Sequence, residues 1–181
     1  HIADEMNISP GNLYYHFRNK DEIILQLFER FERQMSAMLE APQGRTADME
    51  DMWLYLHLIF ENIWHYRFLY RDLNDLVQRN RQLRSRLRRI LERKIRTAAA
   101  ICQGLVDAGL MQASAEDIEA LANNIVVVAT YWLNFQLTLG RAEAEATQLA
   151  RGAYQVLSLV TPFLTGDAQK LLHKLRQVYL G

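Results

Sequence analysis

Three hydrogen-bonding side chains lie close together near the start of the chain, at Asn12, Tyr15 and His16. In the same segment Leu13 and Phe17 are four residues apart, so they share one face of a helix. That apolar face can anchor the helix while the three polar side chains point mostly outward. A helix so short and so rich in hydrogen-bonding aromatic groups is a poor core element and is typical of a surface that contacts a partner.

Capping residues mark both ends of this short helix. Ser9 predicts its start, because the hydroxyl can accept a backbone N–H of the first turn. Pro10 follows at the first helical position, where its missing donor costs nothing. The helix ends near Arg18, and Asn19 followed by Glu22 is typical of the cap of a new helix.

A second set of side chains that could bind a ligand consists of His57, Glu61 and His65. Their spacing places them along one helix face, and two imidazoles with a carboxylate suit zinc or iron. No second segment offers the matching Glu-x-x-His that a di-iron bundle needs. The simpler interpretation is that Glu61 pairs with one or both histidines, so we predict no metal and no other cofactor.

Composition narrows the class of protein. With 181 residues, 50% of them hydrophobic, the chain can bury a core and is not disordered. Its net charge of zero gives no overall electrostatic attraction to nucleic acid. The single cysteine, Cys102, excludes an intrachain disulfide and favours the cytoplasm. No apolar run approaches the roughly 18 residues of a membrane span, so we expect no membrane partner.

The elements that must position these side chains are long helices. Three prolines and eight glycines leave uninterrupted stretches with apolar residues at helical spacing, and no credible strand. Thr46 is the expected cap of the second helix, and Gly109 and Ser114 are expected to end one helix and start the next. The predicted helices cover residues 20–40, 46–64, 68–79, 81–107, 115–139, 142–164 and 167–179.

The first 22 residues resemble the helix-turn-helix of the TetR family of bacterial transcriptional regulators. Residues 2–9 are similar to the end of the motif's first helix and its turn, and residues 9–17 to its recognition helix. Residues 19–22 are similar to the start of the long helix that joins the two domains. The family has a further helix before this point, so we expect the sequence to start inside the DNA-binding domain.

The resemblance implies an all-α, TetR-like fold, in which a helix-turn-helix head is joined by a long helix to a C-terminal ligand-binding and dimerisation bundle. We assign residues 1–40 to the partial head with its connecting helix, and residues 41–181 to the effector-binding and dimerisation domain. At about 1.5 Å per residue, the helix over 20–40 is long enough to leave the head and enter the bundle. A rigid shared helix would pass movement from one domain to the other.

The resemblance also implies which side chains contact DNA. Asn12 can pair with a base edge, and Tyr15 can pack on a thymine methyl or reach a phosphate. Tyr14 and His16 are expected at the phosphate backbone, and Lys20 at a phosphate near the start of the next helix. The predicted DNA-binding residues are Ser9, Gly11, Asn12, Tyr14, Tyr15, His16 and Lys20.

Aromatic side chains are dense in two of the predicted helices. Aromatic side chains, a few of them with a polar group at the end, form small-molecule pockets in helical bundles. They equally form ordinary bundle cores. The resemblance favours the pocket, and the absence of clustered charge predicts an apolar or aromatic effector. The predicted pocket residues are Trp53, His57, Phe60, Trp64, Tyr131 and Phe135.

The last two long helices carry faces of small and aliphatic residues. The segment 123–139 is too apolar to face water, so it lies either at the centre of the monomer or in a subunit interface. Because the corresponding helices of the family form a four-helix dimer interface, we predict an interface. Its predicted residues are Ala122, Val126, Ala129, Leu133, Ala150, Ala153 and Leu157.

The predicted protein is therefore a regulator and not an enzyme. We expect a homodimer, a repressor as in most of the family, that binds pseudo-palindromic double-stranded DNA and is released or retuned by a small, mostly apolar effector. One alternative is a helical metal-binding protein or enzyme that uses His57, Glu61 and His65. Another is a regulator-like interaction protein without DNA binding, because residues 1–22 are slightly acidic.

Overall fold

The described part of the chain is helical. The computed structural model describes residues 20–39, 48–141, 145–166, 168–170 and 172. These ranges hold α1 (Lys20–Met38), α2 (Met49–His65), α3 (Arg67–Arg71), α4 (Leu73–Arg79), α5 (Arg81–Asp107), α6 (Ala115–Thr138), α7 (Glu145–Val160) and a 3₁₀ turn (Thr161–Phe163). They contain no strand beyond one isolated bridge between Met111 and Leu164. The all-α fold class is confirmed, and none of these helices is both long and apolar enough to cross a membrane.

Reciprocal side-chain caps start two of the helices. At α2, the Asp48 N–H donates to Asp51 Oδ2 at 3.0 Å, and the Asp51 N–H donates to Asp48 Oδ1 at 2.9 Å. The cap of α2 is therefore Asp48 and not Thr46, because this pair satisfies the first free N–H groups. Ser114 and Asp117 form the same arrangement at α6, which confirms the predicted cap there.

Two glycines in the left-handed conformation follow the long helices. Gly109 has φ 71° after α5, and Gly140 has φ 68° after α6. The left-handed region carries no penalty for glycine, so each residue lets the chain turn away directly after its helix. The predicted end of α5 at Gly109 is confirmed.

Two predicted helices differ in the structure. The single helix predicted over 68–79 is divided at Asp72, which separates α3 from α4. The helix predicted to reach 164 ends at Val160 and continues as a 3₁₀ turn through Pro162, whose ring nitrogen cannot donate to the helical ladder. The helix predicted over 167–179 lies largely outside the described residues.

The core of the bundle includes the connecting helix. α6 packs on α5 and α7, α2 packs on α7, and α1 packs on both α2 and α5. Phe31 of α1 makes edge contacts with the rings of Tyr66 and Tyr70, at centroid distances of 5.4 and 5.8 Å. Residues 20–38 therefore share buried surface with the rest of the chain, and the division at residue 40 stays a prediction.

Candidate effector cavity and the connecting helix

A small cavity lies between α2, α6 and α7, in the part of the bundle where a ligand was predicted. Its volume is about 10 Å³. That is room for roughly one water molecule, so a larger molecule must separate the helices to enter. No lining side chain is ionisable. The lining residues are Phe60, Ile63, Trp64, Ala129, Trp132, Leu133, Gln148 and Leu149.

Close approach of α7 to α2 shapes one wall of this cavity. A Cβ built on Gly152 of α7 would lie 2.4 Å from Cε1 of Phe60, well inside van der Waals contact. Phe60 is buried and lines the cavity. Only a residue without a side chain leaves room for the ring here, so Gly152 fixes both the helix crossing and the position of the wall.

Two buried polar atoms of the wall have no hydrogen-bond partner among the described residues. They are Nε1 of the Trp132 indole and Oε1 of Gln148. Gln148 is 5% exposed, and its Nε2 donates to the carbonyl oxygen of Arg141 at 3.2 Å. A buried polar atom without a partner costs about 1–3 kcal/mol. The surface that the lining presents to the cavity is itself apolar.

The structure brings only part of the predicted pocket together. Phe60 and Trp64 line the cavity. Trp53 and His57 instead stack on each other nearer the start of α2, with ring centroids 5.3 Å apart and planes 5° from parallel. This pair is absent from the lining of the cavity.

On α6 the predicted pocket residues lie on the wrong side of the helix for this cavity. Tyr131 and Phe135 are 40% and 54% exposed, whereas their neighbour Trp132 lines the cavity. A signal for Trp132 was present, because it follows the inward Ala129 by three residues and so shares its face. Gln148 carried no signal, since a glutamine of an amphipathic helix is ordinarily a surface residue.

The row of two histidines and a glutamate is held by separate contacts in the structure. His57 Nε2 lies 3.2 Å from Glu61 Oε1, and the ring of His65 packs edge-on against Tyr66 at 4.8 Å. No group of three metal-ligating side chains occurs in the described ranges. The metal-binding alternative therefore has no assembled ligand set in this part of the chain.

The structure places the predicted interface residues inside the monomer. Six of the seven are buried and Ala150 is half-buried, because α6 and α7 pack on each other within one chain. Six of these side chains therefore offer no surface to a partner subunit, and only Ala150 stays partly accessible. The residues concerned are Ala122, Val126, Ala129, Leu133, Ala150, Ala153 and Leu157.

The outer face of α6 is the one that remains apolar and exposed. Val127, Tyr131, Phe135 and Leu139 follow one another at four-residue spacing, and between 40% and 57% of each is exposed. Residues at this spacing form a continuous row along a helix. We call these four residues the α6 row.

Polar contacts join the connecting helix α1 to α5. Glu32 Oε2 lies 2.8 Å from Arg86 Nε, with both side chains about one-fifth exposed, and Arg89 approaches the same carboxylate at 3.7 Å. Thr97 donates its hydroxyl to the carbonyl oxygen of Leu39 at 3.0 Å. Because one contact lies in the middle of α1 and the other just beyond its end, they fix the direction of the helix relative to α5.

A buried lysine lies near the same junction. Lys94 of α5 is 2% exposed, and its Nζ lies 3.4 Å from the hydroxyl of Tyr70, whose ring packs on Phe31 of α1. No carboxylate pairs with Lys94 in the described ranges, and burial lowers the pKa of its ammonium to about 7. Burial also raises the pKa of the Tyr70 hydroxyl, so the tyrosine side of this contact is neutral near neutral pH.

The predicted DNA contacts fall mostly outside the described residues. Lys20 is the first residue of α1 and is exposed. The remaining contacts stay predictions: Ser9, Gly11, Asn12, Tyr14, Tyr15 and His16 lie outside the described ranges.

Comparison with known proteins identifies the family. A family model described as bacterial regulatory proteins of the tetR family matches residues 1–27, and the TetR model, described as bacterial transcriptional repressor, matches residues 30–172. The crystal structure of a TetR-family transcriptional regulator from Marinobacter aquaeolei VT8 is 39% identical, with a TM-score of 0.84, covering 99% of this chain and 86% of that one. No curated protein matches the chain. The chain belongs to the TetR family of bacterial transcriptional regulators.

Proposed function

We propose that the chain is a homodimeric repressor of the cytoplasm, released from or retuned on its operator by a small neutral effector that binds in the cavity between α2, α6 and α7. Family membership supports DNA binding and regulation. The observation that carries the effector site is the cavity between three helices, whose surface is apolar and whose lining holds no ionisable side chain. Cavities of this kind between the helices of a bundle are common small-molecule sites.

The packing of α2 gives the effector a route to the DNA-binding head. A molecule larger than water must move α2 away from α6 and α7, and α2 also packs on α1, which begins at Lys20. The contact of Glu32 with Arg86 holds the other side of α1 against α5, so movement of α2 tilts α1 about that contact. The effector changes operator affinity only by its different affinity for the two positions of α1.

Lys20 and Tyr15 are the proposed DNA contacts whose removal is most informative. In the full-length protein, Lys20→Ala weakens operator binding and lowers the slope of log affinity against log salt by about one, because one phosphate contact is lost. Tyr15→Ala weakens binding by about 1–3 kcal/mol if the ring reaches a base. Fluorescence anisotropy with labelled operator at several salt concentrations measures both changes.

Arg88→Ala is the control for this experiment, since Arg88 is an exposed residue of α5 paired with Glu92 at 2.7 Å. We expect its operator affinity to equal that of the wild type. Unchanged affinity and salt slope in both Lys20→Ala and Tyr15→Ala would show that residues 9–20 do not form the DNA contact.

We assign the subunit interface to the α6 row. A continuous line of exposed apolar side chains is unusual on a monomer surface and is typical of a protein interface. Family membership makes a second copy of the chain the expected partner. Self-association through α6 would cover these four side chains and leave the cavity on the inner face of the same helix.

Charge in the middle of the α6 row is expected to separate the subunits. Phe135→Glu places two carboxylates in the interface of a symmetric dimer, which an apolar contact cannot solvate. Sedimentation velocity should show a monomer for this variant and a dimer for the wild type and for Gln112→Glu, a change at an exposed site beyond α5. A Phe135→Glu protein that stays dimeric and folded would place the interface elsewhere.

A further inference from the structure

We propose that Arg81 and Arg84, two exposed side chains of α5, form a second DNA-binding surface that contacts phosphate groups outside the operator. The proposal rests on operator binding by residues 9–20 and adds a contact made by the C-terminal bundle. It concerns affinity and not base preference, because contacts with phosphate hold a protein on DNA without reading its sequence.

Positive charge is concentrated where α4 meets α5. Residues 76–91 contain six arginines and no acidic residue, in a chain whose net charge is zero. Residues 1–22, which include the predicted DNA contacts, instead contain four acidic and two basic residues. The head segment therefore adds no net attraction for phosphate, whereas this part of the bundle does. The six residues are Arg79, Arg81, Arg84, Arg86, Arg88 and Arg89.

Only two of these six arginines keep an uncompensated charge. The other four lie close to a carboxylate of the same chain, which neutralises much of their charge. Among the described residues Arg81 and Arg84 have no such partner, and both are exposed. The compensated pairs are Arg79 with Asp75, Arg88 with Glu92, and both Arg86 and Arg89 with Glu32.

Main-chain contacts hold the Arg84 guanidinium in place without neutralising it. Its Nε donates to the carbonyl oxygen of Val77 at 2.9 Å, and its Nη2 donates to the carbonyl oxygen of Gln78 at 3.3 Å. Most of the five N–H donors of the group remain available. Arg81 lies three residues earlier, so the two side chains share one face of α5. Two neighbouring guanidinium groups suit phosphate, to which arginine donates bidentately.

The direction of α5 places this pair at the end of the bundle nearest the head. Glu32 contacts Arg86 and Leu39 contacts Thr97, so α1 and α5 run in the same direction. At about 1.5 Å per residue, α5 begins about 8 Å before the Glu32 contact, and α1 begins at Lys20 about 18 Å before it. The start of α5 is therefore set back from the start of α1 by about 10 Å, close to the Debye length at physiological salt.

Two duplexes of different length test the proposal with the full-length protein. One ends at the half-sites of an operator selected from random sequence, and the other continues for about one helical turn, roughly 10 base pairs, beyond each half-site. Fluorescence anisotropy between about 50 and 200 mM salt gives the slope of log affinity against log salt. We expect a steeper slope for the longer duplex, by about two for each bound subunit, because each subunit adds two phosphate contacts.

Substitutions separate the effect of charge from that of structure. Arg81→Gln combined with Arg84→Gln should give equal slopes for the two duplexes, with the shorter duplex bound as by the wild type. Arg81→Lys combined with Arg84→Lys keeps both charges but loses the guanidinium group, and should keep the steeper slope. Arg96→Gln is the matched control, because Arg96 is exposed on the same helix about 22 Å beyond Arg81. Both of its slopes should equal those of the wild type.

The outcomes separate this surface from operator binding itself. Equal wild-type slopes for the two duplexes, as expected if the pair binds an acidic protein instead, would overturn the second surface while operator binding stands. So would a slope difference that survives the double glutamine variant, or one that is lost in the double lysine variant or in Arg96→Gln. Failure of the wild-type protein to bind either duplex would overturn the second surface together with the proposed DNA binding.

Discussion

Replacing Lys94 with Met is expected to stabilise the protein by about 2–4 kcal/mol at neutral pH. Lys94 is buried, and in the described ranges its one polar contact is the hydroxyl of Tyr70. Burial lowers the pKa of its ammonium from 10.5 to about 7. Folding must therefore either remove a proton from this lysine or bury its charge, and both cost free energy. A methionine at this position has no charge to bury and no proton to lose. The lost contact with Tyr70 offsets roughly 1 kcal/mol of the gain.

The pH dependence of this effect has a definite sign. The folded-state pKa of about 7 lies below the unfolded value of 10.5, so between these limits the unfolded chain binds more protons. The contribution of Lys94 to the free energy of unfolding therefore rises with pH across this window, by up to about 1.4 kcal/mol per unit. The advantage of Lys94→Met should shrink as the pH rises from 7 towards 10.5.

Urea denaturation of wild type and variant at several pH values in this window measures the difference. Buried tyrosines such as Tyr70, whose pKa is raised, are present in both proteins. Their titration therefore cancels in the difference between the two free energies of unfolding. Lys20→Met is the control, because this lysine is exposed at the start of α1 and should give a small, pH-independent difference. A Lys94→Met protein that is less stable than wild type throughout would contradict the assignment of an unfavourable buried lysine.

Gly152→Ala is expected to destabilise the protein by about 1–3 kcal/mol. In most helices this substitution is favourable by up to about 1 kcal/mol, so the sign of the effect is diagnostic. Here the new methyl group would lie 2.4 Å from Cε1 of the buried Phe60 ring, which must move into the cavity or push α7 away. Thermal and urea unfolding of the purified variant measure the change.

A control at another glycine and a double variant test whether the clash with Phe60 causes the loss of stability. Gly166→Ala introduces the same methyl group where no heavy atom lies within 4 Å, so it should leave stability almost unchanged. Phe60→Leu combined with Gly152→Ala should cost less than the sum of the two single changes, since the smaller side chain relieves the contact. Additive costs, or a Gly152→Ala protein more stable than wild type, would contradict the close crossing of α2 and α7.

The sequence predicted the elements of the fold well because their signals are local. Ser114 caps α6 through hydrogen bonds to a residue three positions away, and Gly109 ends α5 by its own backbone conformation. The long helix over 81–107 was predicted at its observed ends for the same reason. The cap of α2 was the exception, since Asp48 with Asp51 competed with Thr46 as a local signal.

The candidate site was predicted less well because it depends on how the helices rotate against each other. α6 is apolar around most of its circumference, so periodicity alone does not decide whether Tyr131 or Trp132 faces the bundle. The same uncertainty put Ala122 in a subunit interface, although it is fully buried within the chain. Lys94 and Gln148 were missed because their residue types indicate the surface, and only packing of distant segments buries them.

Selection of random-sequence double-stranded DNA with the full-length protein tests whether this chain binds an operator as a dimer. We expect enrichment of a pseudo-palindrome whose half-sites are about one helical turn, roughly 10 base pairs, apart. Enrichment should be lost in the Lys20→Ala and Tyr15→Ala proteins and kept in Arg88→Ala. Failure of the folded wild-type protein to enrich any sequence, or enrichment of an asymmetric site by a monomer, would contradict operator binding by a dimer.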